Sequence, residues 1–215
     1  VEEYRKFEET HTNPDRLVAS LFKDKYFILK KVNPKELMWG MYWVASDMQN
    51  AETKVSFYDL FKGQELFDLW QCVNYRFYVG NANHADGKGI VVANAKSLLR
   101  NILDSADEAI RKGGIAATLR FGHDGNVIPL VALMQIENCN VAVSDPYEVY
   151  KVWSDFKVVP MAANVQIIFF RNEKSNDILV KIMHNENEVH IPVQTDMFPY
   201  YRWRDVENYY RGMLK

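Results

Sequence analysis

The sequence predicts an α/β fold, with a mostly helical part on the N-terminal side of a part that contains a sheet. Two observations predict it. Up to Gly114 the apolar residues recur three and four apart, the spacing of amphipathic helices. After Gly114, short runs of β-branched and aromatic residues alternate with turn-forming clusters. The chain of 215 residues is 48% hydrophobic and 25% charged, a globular composition with length for one large domain or two small ones.

The elements follow in order. Thr12-Asn13-Pro14 supplies a cap and a first-turn proline for a helix through Leu17, Val18 and Leu21. Asn33-Pro34 repeats that start signal before Leu37, Met38, Met41, Tyr42 and Ala45. Lys62-Gly63-Gln64-Glu65 leads into Leu66, Leu69, Trp70, Val73 and Phe77, another amphipathic helix. The Gly- and Asn-rich stretch 80–87 reads as a loop. One long helix is expected from Lys88 to Arg111, closed by Lys112-Gly113-Gly114. Ile115 to Phe121 reads as a short strand, and Asn126 to Ile136 as a helix with Pro129 in its first turn. Strands are expected at Val165–Arg171, Ile178–Met183 and Val189–Val193, the last two joined by a tight turn at Asn185-Glu186-Asn187. Arg204 to Leu214 closes the chain as an amphipathic helix. The expected division is a helical subdomain over residues 1–87 and an α/β part over 88–215.

Composition excludes several classes of function. Lys and Arg total 26 against 28 Asp and Glu, a net charge of −2, so the basic excess of a nucleic-acid binder is missing. No apolar run approaches the ~20 residues that span a bilayer, so no membrane partner is expected. Val1-Glu2-Glu3-Tyr4 has neither the basic start nor the apolar core of a signal peptide. It also lacks an initiator Met, which suggests a processed product or a fragment. Cys72 and Cys139 are too few for a disulfide framework or a cysteine-only zinc site. Two buried thiols are expected, with one long-range disulfide as the alternative.

The local pattern that carries chemistry is Phe121-Gly122-His123-Asp124-Gly125-Asn126-Val127, where the expected strand gives way to a helix. A helix N-terminus offers free N–H groups and a partial positive charge, which suit an anion. Gly122 and Gly125 permit a sharp turn and the close approach of a ligand. His123 supplies a hydrogen-bond donor or a positive charge, and Asp124 a general acid if its carboxyl holds a proton. A structural role competes: Asp124 or Asn126 caps the helix, and His123 packs on a neighbour.

Leu119-Arg120-Phe121-Gly122-His123-Asp124-Gly125-Asn126 resembles the C-terminal His-Asp motif of the histidine acid phosphatases, the branch that contains phytases, acid phosphatases and inositol polyphosphate phosphatases. Ser56-Phe57-Tyr58-Asp59-Leu60-Phe61 and Asn74-Tyr75-Arg76-Phe77-Tyr78 are similar to flanking segments of that family, and Val158–Asn164 and the hairpin after Ile178 follow its order. The resemblance covers most of the chain. It implies a mixed sheet flanked by helices, with a mostly helical domain beside it. It implies phosphomonoester hydrolysis in two steps through a phosphohistidine, without metal or other cofactor. By matching position, Asp124 is the proton donor to the leaving alcohol and His123 a phosphate contact, with Gly122, Gly125 and Asn126 binding substrate.

The family's nucleophile motif, Arg-His-Gly-x-Arg-x-Pro, is missing: none of His11, His84, His123, His184 and His190 lies between Arg and Gly. The chain therefore looks like the C-terminal half of such an enzyme, its partner being the N-terminal half or a dimer mate. The rival is a non-catalytic phosphatase-like domain that binds phosphate or serves a structural role. Phytate and sugar phosphates are the substrate types implied, and a periplasmic or secreted location follows from the resemblance alone. His84-Ala85-Asp86 mimics the His-Ala-Glu donor variant, but reads better as a solvated loop. His184 and His190 flank the hairpin turn and are expected at the surface rather than on a metal. Phe198, Tyr200, Tyr201, Trp203, Tyr209 and Tyr210 are expected to pack, and Asp104 to Glu108 to form a solvated face.

Overall fold

The structure is a computed structural model that describes residues 2–172 and 174–215. It divides into two compact units, one ending at Arg76 and the other beginning at Phe77.

The first unit is helical: α1 (Glu2–His11), α2 (Asp15–Leu21), α3 (Lys25–Leu29), α4 (Pro34–Asp47) and the first turns of α5 (Gly63–Asn81). The cap expected before α4 is present, with Asn33 accepting from the N–H groups of Lys35 and Glu36. At α2, Pro14 itself takes the cap position, and the Asn13 side chain accepts from Asp15 N–H at 3.0 Å. Leu17, Met38, Tyr42, Ala45, Phe61 and Leu69 form the core of this unit, drawn from α2, α4, α5 and the segment just before α5. Arg16 binds it together by pairing with Glu65 and donating to the Leu60 carbonyl at 2.7 Å.

The second unit continues with α6 (Ile90–Ala93), α7 (Lys96–Lys112), α8 (Asp124–Leu133), α9 (Pro146–Val152) and α10 (Asp155–Val158). Strands β1 (Val165–Arg171), β2 (Ile178–His184), β3 (Asn187–Glu188) and β4 (Tyr200–Arg202) precede α11 (Trp203–Met213). The sheet is antiparallel throughout its named pairs: β2 pairs with β1 on one edge, and with β3 and β4 on the other. Val180 and Ile182 of β2 are buried, and Trp203, Val206 and Tyr210 of α11 are buried with them. The expected turn is present: Asn185 and Glu186 have φ of 48° and 65°, the left-handed pair whose twist suits a two-residue hairpin.

Several expected elements differ. The long helix from Lys88 starts instead at Ile90, because Lys88 and Gly89 have φ of 48° and 74° and no helix passes through that backbone, and it is interrupted between Ala93 and Lys96 into α6 and α7. Pro129 sits in the second turn of α8, since the helix begins at Asp124 rather than Asn126. The Val189–Val193 strand is not formed. Only Val189 N–H extends the pairing, to the Ile182 carbonyl, before Val193 N–H turns back on Ile191. β4 takes the rest of that edge instead. Asp145-Pro146 starts α9 with an Asp145 cap on Tyr147 N–H, the same type of signal as at Asn33-Pro34. Ile115–Phe121 is not a strand of this structure.

Helix α8 is the axis of the second unit. Ile128 to Leu133 are all buried, so the helix is apolar all round and has no solvent face beyond its first turn. α6 and α7 pack against it. Its C-terminal end is held by the Tyr210 hydroxyl, which donates to the Met134 carbonyl at 2.9 Å. No described helix is long and apolar enough to cross a membrane.

Candidate active site

The exposed end of this buried helix carries the His-Asp pair. His123 is the N-cap of α8 and Asp124 its first residue. The His123 carbonyl accepts from Asn126 N–H at 2.9 Å and Val127 N–H at 3.1 Å, and its own N–H donates to Asn126 Oδ1 at 3.2 Å. Asp124 Oδ1 accepts from Gly125 N–H at 2.7 Å. The polarity of this end suits an anion through the helix dipole and the Asp124 N–H, since the N–H groups of Gly125, Asn126 and Val127 already donate within the turn. All residues from Arg111 to Asn126 are exposed. Both side chains are thus free to meet a ligand, on a support that burial makes rigid.

The two glycines differ. Neither has the left-handed φ that only glycine adopts readily. A Cβ on Gly122 would lie 3.2 Å from Asn126 Oδ1, a tight contact with the chain's own side chain. A Cβ on Gly125 would meet Asn81 Oδ1 at an ordinary 3.6 Å. Asn81, at the end of α5, is therefore a neighbour of the site. It stands far from the motif in sequence, and no local pattern marks it.

Leading into the pair, residues 114–122 form an exposed ribbon. Among the described residues none of its N–H or C=O groups makes a backbone hydrogen bond. Leu119 is 74% exposed and Phe121 93% exposed. One side chain anchors the ribbon: Arg120 donates to Asn101 Oδ1 and to Ser105 Oγ, both at 2.8 Å, on α7. The expected strand is chain without regular structure or a backbone partner, because a strand needs a neighbour to bond.

The other candidates settle into packing. His84 is buried rather than solvated, edge-on to the Tyr78 ring at 5.7 Å. His184 is also buried, against the expectation of a surface position. Its Nε2 lies 2.8 Å from the Val158 carbonyl and its Nδ1 3.7 Å from Cys139 Sγ. Burial lowers the His184 pKa, opposed by the Val158 hydrogen bond, and burial pushes the Cys139 thiol up to about 12. The pair is neutral imidazole and thiol, not an activated nucleophile. Cys72 is likewise a buried free thiol, as expected, raised to about 12 by burial first and by Glu8 and Asp68 next. His190 stacks on Phe198 at 3.9 Å, and Tyr200 meets Phe170 edge-on, so the C-terminal aromatics pack. Asp104 and Asp107 are not merely solvated. With Glu207 they surround Arg211, and Asp107 also accepts from Trp203 Nε1 at 3.1 Å. The depression there, lined by Asp104, Asp107, Glu108, Arg111, Trp203 and Glu207, is acidic and unsuited to phosphate.

Residues 9–185 match the model of the histidine phosphatase superfamily (branch 2), and the chain belongs to that family. Its fold is similar to the multiple inositol polyphosphate phosphatase of Bifidobacterium longum. The apo structure of that enzyme gives a TM-score of 0.66 at 23% identity over 79% of this chain. Its phosphate complex gives 0.67 at 22% over 81%, and its inositol hexasulfate complex 0.67 at 24% over 80%. The chain spans only 38–39% of the length of those structures. No curated protein sequence matches it.

Proposed function

We propose that this chain is the His-Asp half of a histidine acid phosphatase, which hydrolyses phosphomonoesters together with a part bearing the nucleophilic histidine. The observation that carries the proposal is the unpaired ribbon 114–122 running into His123-Asp124. An apolar segment with free backbone groups suits pairing with another strand. It fits a chain that spans 38% of a solved relative.

In the proposed reaction a histidine of the other half attacks phosphorus, and the bond to the leaving alcohol oxygen breaks. Asp124 gives that oxygen its proton, while His123 and the Asp124 N–H at the start of α8 hold the phosphate oxygens. Water then attacks the phosphohistidine, and the Asp124 carboxylate takes its proton back. Gly122 lets substrate approach the backbone, and Gly125 and Asn126 complete the substrate side of the turn. Inositol polyphosphates such as phytate are the proposed substrate class, since the similar structures include an inositol polyphosphate phosphatase and its phosphate complex. A periplasmic or secreted location belongs to the same proposal.

Hydrolysis of p-nitrophenyl phosphate and phytate, from acid to neutral pH, tests it. The chain alone shows no turnover, and the same chain supplied with its Arg-His-Gly-bearing part is active. Turnover by the chain alone that survives loss of His123 overturns the proposal. So does a natural form that binds phosphate but stays inactive with every part of its polypeptide present, which favours the non-catalytic alternative.

A further inference from the structure

The His-Asp pair stands at the end of a ribbon that the Arg120 side chain ties to α7 and that has no backbone support. Backbone groups 114–122 have no backbone partner among the described residues, and residues 111–126 are exposed throughout. What holds the pair is the first turn of α8, and within that turn one side chain closes a ring. Asn126 donates its backbone N–H to the His123 carbonyl at 2.9 Å and accepts the His123 N–H on Oδ1 at 3.2 Å. Asp124 lies between these two anchor points. We propose that Asn126 is a positioning residue for the pair, its side chain fixing the His123–Asp124 backbone in the geometry from which both side chains reach substrate.

This rests on the phosphatase proposal above and gives Asn126 a role besides contact with substrate. The same ring accounts for Gly122. The Asn126 amide folds so closely over the preceding residue that a Cβ there would sit 3.2 Å from Oδ1 and 3.5 Å from the Asn126 Cβ. Any side chain at position 122 pushes on the latch. The acceptor is what matters: Asp at 126 keeps an oxygen for the His123 N–H, and Ala does not. A misplaced proton donor costs rate rather than ground-state binding, because its hydrogen bond to the leaving oxygen strengthens only as that bond breaks.

Two measurements test the proposal. Hydrogen exchange at the His123 amide is followed by nuclear magnetic resonance on this chain, which needs no turnover. Asn126→Ala speeds exchange about fivefold, the equivalent of one ordinary hydrogen bond, and Asn126→Asp leaves it within about twofold of the parent. In the complete phosphatase, Asn126→Ala lowers kcat on an alkyl phosphate about tenfold with KM within about twofold, and Asn126→Asp recovers most of it. Unchanged exchange in Asn126→Ala overturns the latch. A loss confined to KM overturns the positioning role and leaves a phosphate contact. If the unaltered complete protein has no phosphatase activity, the phosphatase proposal fails, while the exchange rates still decide the latch.

Discussion

Tyr78→Phe removes one oxygen from a fully buried ring and should destabilise the protein well beyond an ordinary conservative change. The Tyr78 hydroxyl accepts from Val143 N–H at 2.7 Å and donates to the Val141 carbonyl at 2.9 Å. It thereby holds the loop before α9 by both its donor and its acceptor. The ring packs against Trp153 at 5.4 Å and His84 at 5.7 Å, and Phe retains these contacts. The loss is therefore polar. Two half-buried main-chain groups lose their partner at about 1 kcal/mol each, giving about 2 kcal/mol. Tyr78→Ala adds a cavity on top, for a total of about 5 kcal/mol. Urea unfolding reads both. With a slope of roughly 1–3 kcal/mol per M, the Phe variant shifts the midpoint down by roughly 1 M. The hydroxyl also leaves a signature at high pH. Burial raises its pKa, opposed by the Val143 N–H, so the folded state resists ionisation above the ordinary value of 10.0 while the unfolded state ionises. Its stabilising contribution is complete below that value and is lost as pH rises from it toward the raised folded pKa. Tyr78→Phe should flatten that alkaline loss. A Phe variant as stable as the parent, with the same alkaline slope, would refute the hydroxyl's role as the loop's anchor.

Four further outcomes are expected. The His184 pKa is depressed by burial, so its contribution is complete above the ordinary 6.5 and is lost as pH falls below it toward the folded value. His184→Gln should flatten this acid limb in melts taken across the range, and an unchanged limb would place its origin elsewhere. In the complete enzyme, Asp124→Asn should slow alkyl phosphate hydrolysis by about 10²–10⁴ but slow p-nitrophenyl phosphate much less, because that leaving group scarcely needs a proton. Equal losses on both substrates would make Asp124 a structural or phosphate-holding group. Gly113→Ala and Gly114→Ala, at φ of 67° and 75°, should each cost about 1 kcal/mol in thermal unfolding. Gly80→Ala, inside α5 with open space around it, should instead be neutral or stabilising by about 0.5–1 kcal/mol.

Local signals carried a good part of the fold. Asn33-Pro34 starts α4 because the Asn side chain reaches the two free N–H groups beside it, a contact that needs no tertiary partner. β1 and β2 follow from their β-rich runs, and β2 turns into β3 through Asn185-Glu186 in left-handed backbone. The end of α7 at Gly113 is of the same kind. The helix expected from Lys88 starts at Ile90 instead, and the sequence does not show this because left-handed backbone at a lysine has no local signature. Val189–Val193 has the composition of a strand, yet the edge of β2 beyond β3 goes to β4, and only the assembled sheet decides which segment occupies it.

The candidate site divides along the same line. Sequence alone determined that His123 and Asp124 stand at a helix start between glycines, because capping and dipole act within one turn of the chain. It also favoured two buried thiols over a long-range disulfide, and it shows that no Arg-His-Gly lies in these residues. Only the tertiary structure decided that His184 and His84 are core residues, since burial is set by what packs over a side chain and not by its neighbours in sequence. It decided that Asn81 stands beside Gly125, a contact between separate helices. It decided, too, that Ile115–Phe121, with every local mark of a strand, stays unpaired. β-branching and alternation make a segment fit for a sheet, but its hydrogen bonds belong to a neighbour, and among the described residues none occupies that place.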